Sequence, residues 1–343
     1  MKALRMAKDD TITLACRNYD GTSAILRGIL KPAGIHLRVF EENDVPKLFT
    51  RMFNGEFDVS EMSLAELVYY NSRGMGDFVG IPVFPFRMFR HGFIVCNNAV
   101  GINAPEDLDG KRIGFIRWVQ TAAIWMRGML AEEYGVSPKN TQWYIASMQH
   151  WDDTHMKDKV NPKDGSLIRW VEKRSSSPAK NAWAALKEGK IDAVGLTEAQ
   201  ISFIRGESGV RRLFENYREI EAAYFRRTRI FPIMHVIVAR RSITERHPDL
   251  VATIFELFSR AKKLGRDWLD AVPSMGLAWK HHYLDEEKAV FQEDPWAFGL
   301  QRNHHVLEKF LSYCDQQGIT DRKMEAKELF HPSTWELKEE DYH

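Results

Sequence analysis

The hydrophobic residues of this chain form short apolar runs that alternate with segments of helical periodicity. The first part of the chain predicts strands at 11–16, 35–40, 57–60 and 78–84, and helices at 45–54 and 64–71. A turn at 18–22 is predicted to lead from the first strand into another helix. Strands that alternate with helices are typical of βαβ units, so we expect an α/β protein with mostly parallel sheets.

A second series of strands and helices follows, and the chain ends in a helical tail. The segment 105–115 predicts a helical turn followed by a strand, and further strands are predicted at 142–145, 191–196 and 233–239. Helices are predicted at 121–134, 179–188, 249–271 and 303–317. Gly135 is expected to end the helix at 121–134.

Two α/β series predict two lobes with a ligand cleft between them. We assign residues 1–93 to the first lobe, residues 94–234 to the second, and residues 235–343 to the return into the first lobe and the helical tail. The chain is expected to cross between the lobes at 94–96 and 235–238. Because open α/β sheets bind ligands at the carboxyl ends of their strands, candidate residues are sought there.

Composition and charge narrow the class of ligand. The chain has 343 residues, of which 44% are hydrophobic, so it can build a substantial core. Its 48 basic and 47 acidic residues give a net charge of +1. Nucleic-acid or membrane-surface partners would need a concentrated basic face, so a small-molecule ligand is expected. The oligomeric state stays open, a homo-oligomer included.

Neither a metal, a disulfide framework nor a nucleotide cofactor is predicted. Cys16, Cys96 and Cys314 are widely spaced, and the histidines around His150 and His155 lack a zinc-motif spacing such as HExxH. No GxGxxG or GxxxxGK[ST] motif occurs. The first 21 residues lack the apolar segment of a secretory signal, and no run reaches 18 apolar residues. We therefore expect a cytoplasmic protein without a membrane span.

The stretch FPFRMFRHG places Arg87, Arg90 and His91 between two apolar runs, at the end of a predicted strand. Either these cations extend to the surface, or an anion binds there. A second basic run, YFRRTR at 224–229, is interpreted as a solvated turn.

Several longer motifs resemble known proteins. GEFDVSEMS, DLDGKRIGF, TAAIWMRG and LKEGKIDAVGLTEAQ, in this order, resemble the two-lobed type II periplasmic-binding-protein fold. FPFRMFRHGFIV, TAAIWMRGMLAEEYGV, IFPIMH and DPWAFGLQRNHHVLEKFLSYCDQQGI resemble the 4,5-dihydroxyphthalate decarboxylase family, over about residues 11–330. The resemblance implies cofactor-independent decarboxylation of a hydroxylated aromatic acid, with 4,5-dihydroxyphthalate as the expected substrate and 3,4-dihydroxybenzoate as the product.

Two segments depart from the pattern of that family. The segment 116–121 (IRWVQT), which contains the candidate contacts Arg117 and Trp118, stands where the family has an acidic–aromatic pair, and residues 146–150 (ASMQH) stand where it has a Gly–Gly pair. Both segments are expected to face the cleft and to influence the choice of substrate. Trp118 is a candidate for stacking on an aromatic ring.

The implied reaction requires a cationic clamp for a carboxylate and a general acid for the ring carbon. Arg87 and Arg90 are the candidate clamp, with pairing to acidic residues at the lobe junction as the alternative. His91 and His235 are candidate acids. We favour His235, in an apolar strand, although a satisfied core histidine is the alternative. Glu198 is a candidate base for a phenol, or a helix cap.

The remaining candidates for substrate contact follow strands or open a helix: Asn18, Tyr19, Ser60, Glu61, Gln120 and Thr121. Backbone amides at the start of the helix would favour an anion, with a plain N-cap by Thr121 as the alternative. Turn formation alone would account for Asn18.

A rival function belongs to a different class. The chain could be the non-catalytic solute-binding component of an ABC-type importer for an organic acid. The lack of an export signal favours the enzyme, and release of CO2 from a hydroxylated phthalate would distinguish the two.

Overall fold

The computed structural model of the protein describes residues 11–146, 160–271 and 277–342. Its strands are β1 (Ile12–Cys16), β2 (Leu37–Glu41), β3 (Val59–Ser63), β4 (Phe78–Ile81), β5 (Ile94–Asn97), β6 (Arg112–Phe115), β7 (Gln142–Ile145), β8 (Leu167–Trp170), β9 (Ala193–Gly195), β10 (Val210–Arg212) and β11 (His235–Arg240). Its α-helices are α1 (Ser23–Leu26), α2 (Val45–Phe53), α3 (Leu64–Ser72), α4 (Thr121–Tyr134), α5 (Pro178–Lys187), α6 (Tyr217–Thr228), α7 (Arg241–Arg246), α8 (Leu250–Ala271), α9 (Lys280–Phe291) and α10 (Leu300–Gln316). The predicted α/β class is confirmed.

The strands form two sheets, one in each lobe. The first has the order β2-β1-β3-β11-β4, and the second has the order β10-β5-β9-β6-β7-β8. The expected parallel pairing holds for β1 with β2 and β3, and for β6 with β7 and β9. In contrast, β11 is antiparallel to β3 and β4, and β5 is antiparallel to β9 and β10. Each sheet is therefore mixed.

The chain passes between the two sheets after β4 and again before β11. The two crossing segments lie side by side, and the Met88 N–H donates to the Pro232 carbonyl at 3.0 Å. The predicted crossings at 94–96 and 235–238 were wrong by a few residues, because these residues pair inside β5 and β11. An apolar run does not by itself reveal whether its backbone groups are already hydrogen-bonded in a sheet.

Helix α4 lies in the interior, where it contacts both lobes. Its residues from Thr121 to Leu130 are all buried, so it shows no polar face in this part. Gly128 allows close packing against α10, since a Cβ there would collide with the Tyr313 ring. The helix ends as predicted at Gly135, which has a left-handed φ of 65°.

The C-terminal helices follow the second crossing and cover both lobes. Helix α8 packs on α1 and β4 of the first lobe, whereas α10 packs on α3 and α4. The predicted helical tail is therefore confirmed. No helix among the described residues is long and apolar enough to cross a membrane.

Three local predictions differ from the structure. The YFRRTR run at 224–229 is mostly the end of α6 rather than a turn, because α6 extends to Thr228 and only Arg229 takes a left-handed conformation. Strands β8 and β10 were not predicted. β8 is largely exposed, and β10 has only three residues, so neither shows a regular alternation of buried and exposed positions.

Candidate active site

Polar side chains from three strands converge at one edge of the first sheet. Because β1 and β3 are parallel, their carboxyl ends meet at this edge. β11 is antiparallel to β3 and begins there, with His235 opposite Ser63. This topology brings Arg17 and Tyr19, which follow β1, close to Glu61 of β3 and to His235.

The carboxylate of Glu61 is the centre of this group. Its Oε1 accepts hydrogen bonds from the Tyr19 hydroxyl and from Nδ1 of His235, both at 2.6 Å. Its Oε2 accepts from the backbone N–H of Arg17 at 3.0 Å. Glu61 is completely buried, and three donors satisfy its carboxylate. We call Arg17, Tyr19, Glu61 and His235, with the Phe86 ring beside them, the strand-edge cluster.

Electrostatics keep Glu61 ionised and Tyr19 protonated. Burial alone would raise the pKa of Glu61, but the hydrogen bond and charge of His235 and the bonds from Tyr19 and Arg17 hold this pKa below its usual range. Burial and the nearby Glu61 charge raise the pKa of Tyr19 far above its usual value. The phenol therefore remains a donor to the carboxylate at neutral pH.

The imidazole of His235 is held in one orientation. Its ring packs edge-on against Phe49 and at a tilt against Phe86, with centroid separations of 5.2 Å and 5.1 Å. Nδ1 faces the ionised Glu61, so this nitrogen carries a proton. No described residue forms a hydrogen bond with Nε2, and the side chain is not fully enclosed. Nε2 is thus the atom that can meet a substrate.

The sequence did not indicate Arg17 as a residue of the site. Its guanidinium lies 5.2 Å from the Tyr19 ring centroid and 5.8 Å from that of Phe86. Its Nε is buried and has no hydrogen-bond partner. The only signal in the sequence was its place directly after β1, next to Asn18, whose exposed side chain lies 3.5 Å from Glu41.

The two arginines predicted as a clamp have partners inside the protein. Nη2 of Arg87 donates to the Ala297 carbonyl at 2.7 Å and to Oδ1 of Asn303 at 2.5 Å, and burial lowers the pKa of Arg87 to about 10. Nη1 of Arg90 lies 3.3 Å from a carboxylate oxygen of Glu198. The geometry of Arg90 matches the alternative of pairing with an acidic residue, and it gives Glu198 an ion-pair partner. The partners of Arg87 are neutral, so Arg87 follows neither alternative.

His91 lies at the end of the first crossing segment, just before β5, and not in the strand-edge cluster. The rings of Phe214, Tyr224 and Tyr134 surround it at centroid distances of 5.2 Å, 5.3 Å and 6.1 Å. Burial, with the charge of Arg227, lowers the pKa of His91 to about 3. An imidazole with this pKa has no extra proton to give at neutral pH, which argues against His91 as the general acid.

Thr121 joins the two lobes at the start of α4. Its hydroxyl lies 2.9 Å from the Ser63 hydroxyl and accepts from the Ala65 N–H at 3.0 Å. Gln120, rather than Thr121, is the N-cap residue, and its side chain makes no capping bond. Ser60 is buried and donates to the backbone carbonyl of its neighbour in β3.

The departures from the family pattern fall partly outside the described residues. Arg117 lies 3.8 Å from Glu66, and Trp118 donates its indole N–H to the Gln317 carbonyl at 3.0 Å. The Arg127 guanidinium lies over the Trp118 ring at 3.8 Å, so this tryptophan belongs to the core. Residues 147–150 and the histidine pair at 150 and 155 are not described. Among the described residues, no group of three or more potential ligands could hold a metal ion.

A pocket of about 620 Å³ adjoins the strand-edge cluster. Tyr19 and Phe86 form part of its wall, together with Arg27, Arg266 and Trp296. Its volume is in the range of small-molecule sites. The pocket does not include Arg17, Glu61 or His235 in its lining, so it lies beside these residues rather than over them.

Comparisons with known proteins fit both the fold and the sequence resemblance. The chain is 31% identical over 331 residues to the 4,5-dihydroxyphthalate decarboxylase of Comamonas testosteroni, covering 95% of this chain and 97% of the relative. It is 27% identical over 216 residues to the enzyme of the same name from Pseudomonas putida, covering 63% and 81%. No model of a known protein family matches the chain.

Solved structures of low identity share the fold. The aliphatic sulphonate binding protein SsuA of Escherichia coli superposes with a TM-score of 0.56 at 12% identity, covering 96% of this chain and all of that one. The desulfurization enzyme DSZB gives a TM-score of 0.51 at 13% identity, with coverages of 95% and 97%. The fold is thus the two-lobed periplasmic-binding-protein type, and it occurs in both binding proteins and an enzyme. On the near full-length match to the Comamonas relative, the chain belongs to the 4,5-dihydroxyphthalate decarboxylase family.

Proposed function

We propose that this protein decarboxylates 4,5-dihydroxyphthalate, or a closely related hydroxylated aromatic acid, to give 3,4-dihydroxybenzoate and CO2. The names of its relatives support the substrate class. The observation that carries the chemistry is the buried Glu61–His235 pair, in which Nδ1 is engaged and Nε2 is left for a ligand. This is the arrangement of a general acid held by a carboxylate.

The reaction needs one proton at the ring carbon that bears the leaving carboxylate. A hydroxyl group para to this carbon makes the ring electron-rich, so protonation gives a ketone-like intermediate. The C–C bond to the carboxylate then breaks, its electron pair restores the aromatic ring, and CO2 leaves. The ring keeps the proton, so each turnover consumes one proton, which returns to the acid from water.

The residues of the strand-edge cluster have distinct roles in this proposal. His235 donates the proton from Nε2. Glu61 is a positioning residue that holds Nδ1 and stabilises the imidazolium, as in other buried carboxylate–histidine pairs. Tyr19 in turn holds Glu61 through a hydrogen bond of 2.6 Å. No cofactor is required, since the hydroxylated ring itself accepts the electrons.

The first test is the release of CO2 from 4,5-dihydroxyphthalate by the purified protein and by the His235→Asn variant. Loss of a general acid lowers turnover by about 10²–10⁴-fold, so a fall of at least about 100-fold is expected. Binding of the substrate should persist. His91→Asn is the matched control, because its imidazole is also buried but lies outside the cluster, and its turnover should change little.

Two results would overturn the proposal. If His235→Asn turns over normally, the protonation scheme is wrong. If the unmodified protein binds 4,5-dihydroxyphthalate and releases it unchanged, the protein acts as a solute-binding protein, a function favoured by its similarity in fold to SsuA.

A further inference from the structure

We propose that Arg17 binds the carboxylate that the substrate retains in its product, and that it thereby makes the site specific for ortho-dicarboxylates. This inference rests on the function proposed above and adds a residue that determines specificity. It assigns the carboxylate clamp to the first lobe, beside the proton donor, rather than to Arg87 and Arg90.

The position of Arg17 is fixed relative to the proton donor. Its backbone N–H binds Oε2 of Glu61 at 3.0 Å, and Oε1 of the same carboxylate binds His235. The Phe86 ring touches both functional groups, with the guanidinium carbon 5.8 Å from its centroid and the His235 ring at 5.1 Å. One aromatic side chain therefore adjoins both the cation and the imidazole, so a small ring could contact both.

The charge of Arg17 has no carboxylate partner among the residues that the structure describes. Its Nε is buried without a hydrogen bond, and no acidic side chain in those ranges forms an ion pair with it. Arg90 differs, since its Nη1 lies 3.3 Å from a carboxylate oxygen of Glu198. Within the described ranges, the buried Arg87 and Arg127 also lack an acidic partner, but each of them donates to neutral oxygens inside the protein. Arg17 is half-buried, and its buried Nε makes no hydrogen bond, so the carboxylate of an anionic ligand would supply the missing acceptor.

Chemistry decides which carboxylate Arg17 should bind. The leaving carboxylate loses its negative charge as it becomes CO2, so a cation bound to it would stabilise the substrate more than the transition state. The neighbouring carboxylate keeps its charge throughout the reaction. A cation there orients the ring without raising the barrier, and its position next to the reacting carbon agrees with the closeness of Arg17 to His235.

Binding of phthalate and benzoate tests this assignment without any reaction, because neither compound carries the hydroxyl groups that decarboxylation requires. By isothermal titration calorimetry, the unmodified protein should bind phthalate more tightly than benzoate. Arg17→Gln should weaken phthalate binding by about 10- to 100-fold, the scale of a charge-assisted hydrogen bond, and leave benzoate nearly unchanged. Arg17→Lys should keep part of the phthalate affinity, because it retains the charge without the fork.

Arg38→Gln is the matched control. Arg38 also places its guanidinium over an aromatic ring, Phe40, at 5.0 Å. The substitution Arg38→Gln removes the same charge from the same lobe. The strand position of Arg38 is opposite Thr13 in β1, four residues before Arg17 and so roughly 13 Å from it along the strand. Its affinity for both ligands should match that of the unmodified protein.

Kinetics with 4,5-dihydroxyphthalate give a second readout. A clamp that acts equally on substrate and transition state changes KM more than kcat, so Arg17→Gln should raise KM at least about 10-fold with a smaller change in kcat. The melting temperature of the ligand-free Arg17→Gln protein should not fall, because the substitution breaks no ion pair among the residues that the structure describes.

The assignment is overturned if Arg17→Gln and Arg17→Lys bind phthalate as well as the unmodified protein does, or if Arg17→Gln weakens phthalate and benzoate equally. It is also overturned if the unmodified protein does not prefer phthalate. If the unmodified protein releases CO2 and the Arg17 variants bind phthalate normally, this inference is rejected and the proposed function stands. If the preference for phthalate depends on Arg17 but no CO2 is released, the inference stands and the proposed function is rejected.

Discussion

Glu61→Gln is the substitution that tests the strand-edge cluster most directly. The amide has nearly the shape of the carboxylate, but it has no charge and offers only one acceptor oxygen. Three donors point at this side chain: the Tyr19 hydroxyl, Nδ1 of His235 and the Arg17 N–H. At least one of them would face the amide NH2 group instead of an oxygen.

Two separate effects follow from this change, one on stability and one on turnover. Leaving a buried donor without an acceptor costs about 1–3 kcal/mol, so the free energy of unfolding should fall by that amount. Loss of the charge-assisted bond to the imidazolium removes about 1.5–3 kcal/mol of support for the proton donor. At about 1.4 kcal/mol per factor of ten, turnover should fall by about 10- to 100-fold.

Urea unfolding and CO2 release measure these two quantities separately. The matched control is Asp58→Asn, because Asp58 also accepts two hydrogen bonds in the first sheet, from the backbone N–H and hydroxyl of Thr13 at 2.9 Å and 2.8 Å. It precedes β3, at the opposite edge of the sheet. Asp58→Asn should lose stability but change turnover by less than about threefold, since no group of the cluster touches it.

The pH dependence of stability provides an internal check on Glu61. The pKa of its carboxyl is held below the ordinary value of 4.5 in the folded protein. A depressed pKa gives stability that is present above that ordinary value and is lost as the pH falls through the folded pKa. The difference in stability between the unmodified protein and Glu61→Gln should therefore shrink in acid. If turnover of Glu61→Gln is normal while its stability falls as in Asp58→Asn, Glu61 serves the fold and not the proton transfer.

Two further predictions concern buried groups outside the cluster. Arg87→Met should lower the free energy of unfolding, measured in urea, by about 1–3 kcal/mol, because the Ala297 carbonyl and Asn303 lose their donor. It should leave KM unchanged. A raised KM with normal stability would instead indicate that Arg87 binds the substrate. Burial raises the pKa of Glu221 from 4.5 to about 7, so the folded protein favours the protonated side chain. The stability that this protonated Glu221 contributes is fully present below pH 4.5 and is lost as the pH rises through about 7. Glu221→Gln should therefore gain stability relative to the unmodified protein over that interval in urea titrations at several pH values, and a constant difference would contradict the assignment.

The helices could be predicted from the sequence because their ends carry local signals. Helix α4 begins and ends at the predicted residues, with Gly135 in the left-handed conformation that stops it. The strand β3 was predicted at 57–60 but lies at Val59–Ser63, although every residue in it is buried. Its sequence VSEMS has three polar residues on a buried strand, so the hydrophobic pattern failed at the strand that carries Glu61.

The pairing within the site was beyond the sequence because it joins distant positions. Glu61 and His235 were both candidates, yet they are separated by 174 residues, and nothing local indicates that they form a pair. The same holds for Arg87, whose partner Asn303 is 216 residues away. Arg17 was not predicted because a cation next to a turn is usually solvated, and its contacts with aromatic rings exist only in the folded protein.

In the proposed mechanism, the location of the cluster lets a binding-protein fold support proton transfer. Glu61 and His235 lie on strands of the first sheet and Tyr19 follows β1, so their mutual geometry does not depend on how the two lobes meet. The contacts that join the lobes use other groups, such as the hydroxyls of Thr121 and Ser63 at 2.9 Å. A preformed donor needs no rearrangement when the substrate arrives, which is the main source of electrostatic catalysis. In this proposal the second lobe covers the ligand and excludes water, so substitutions there should alter affinity before they alter the proton transfer itself.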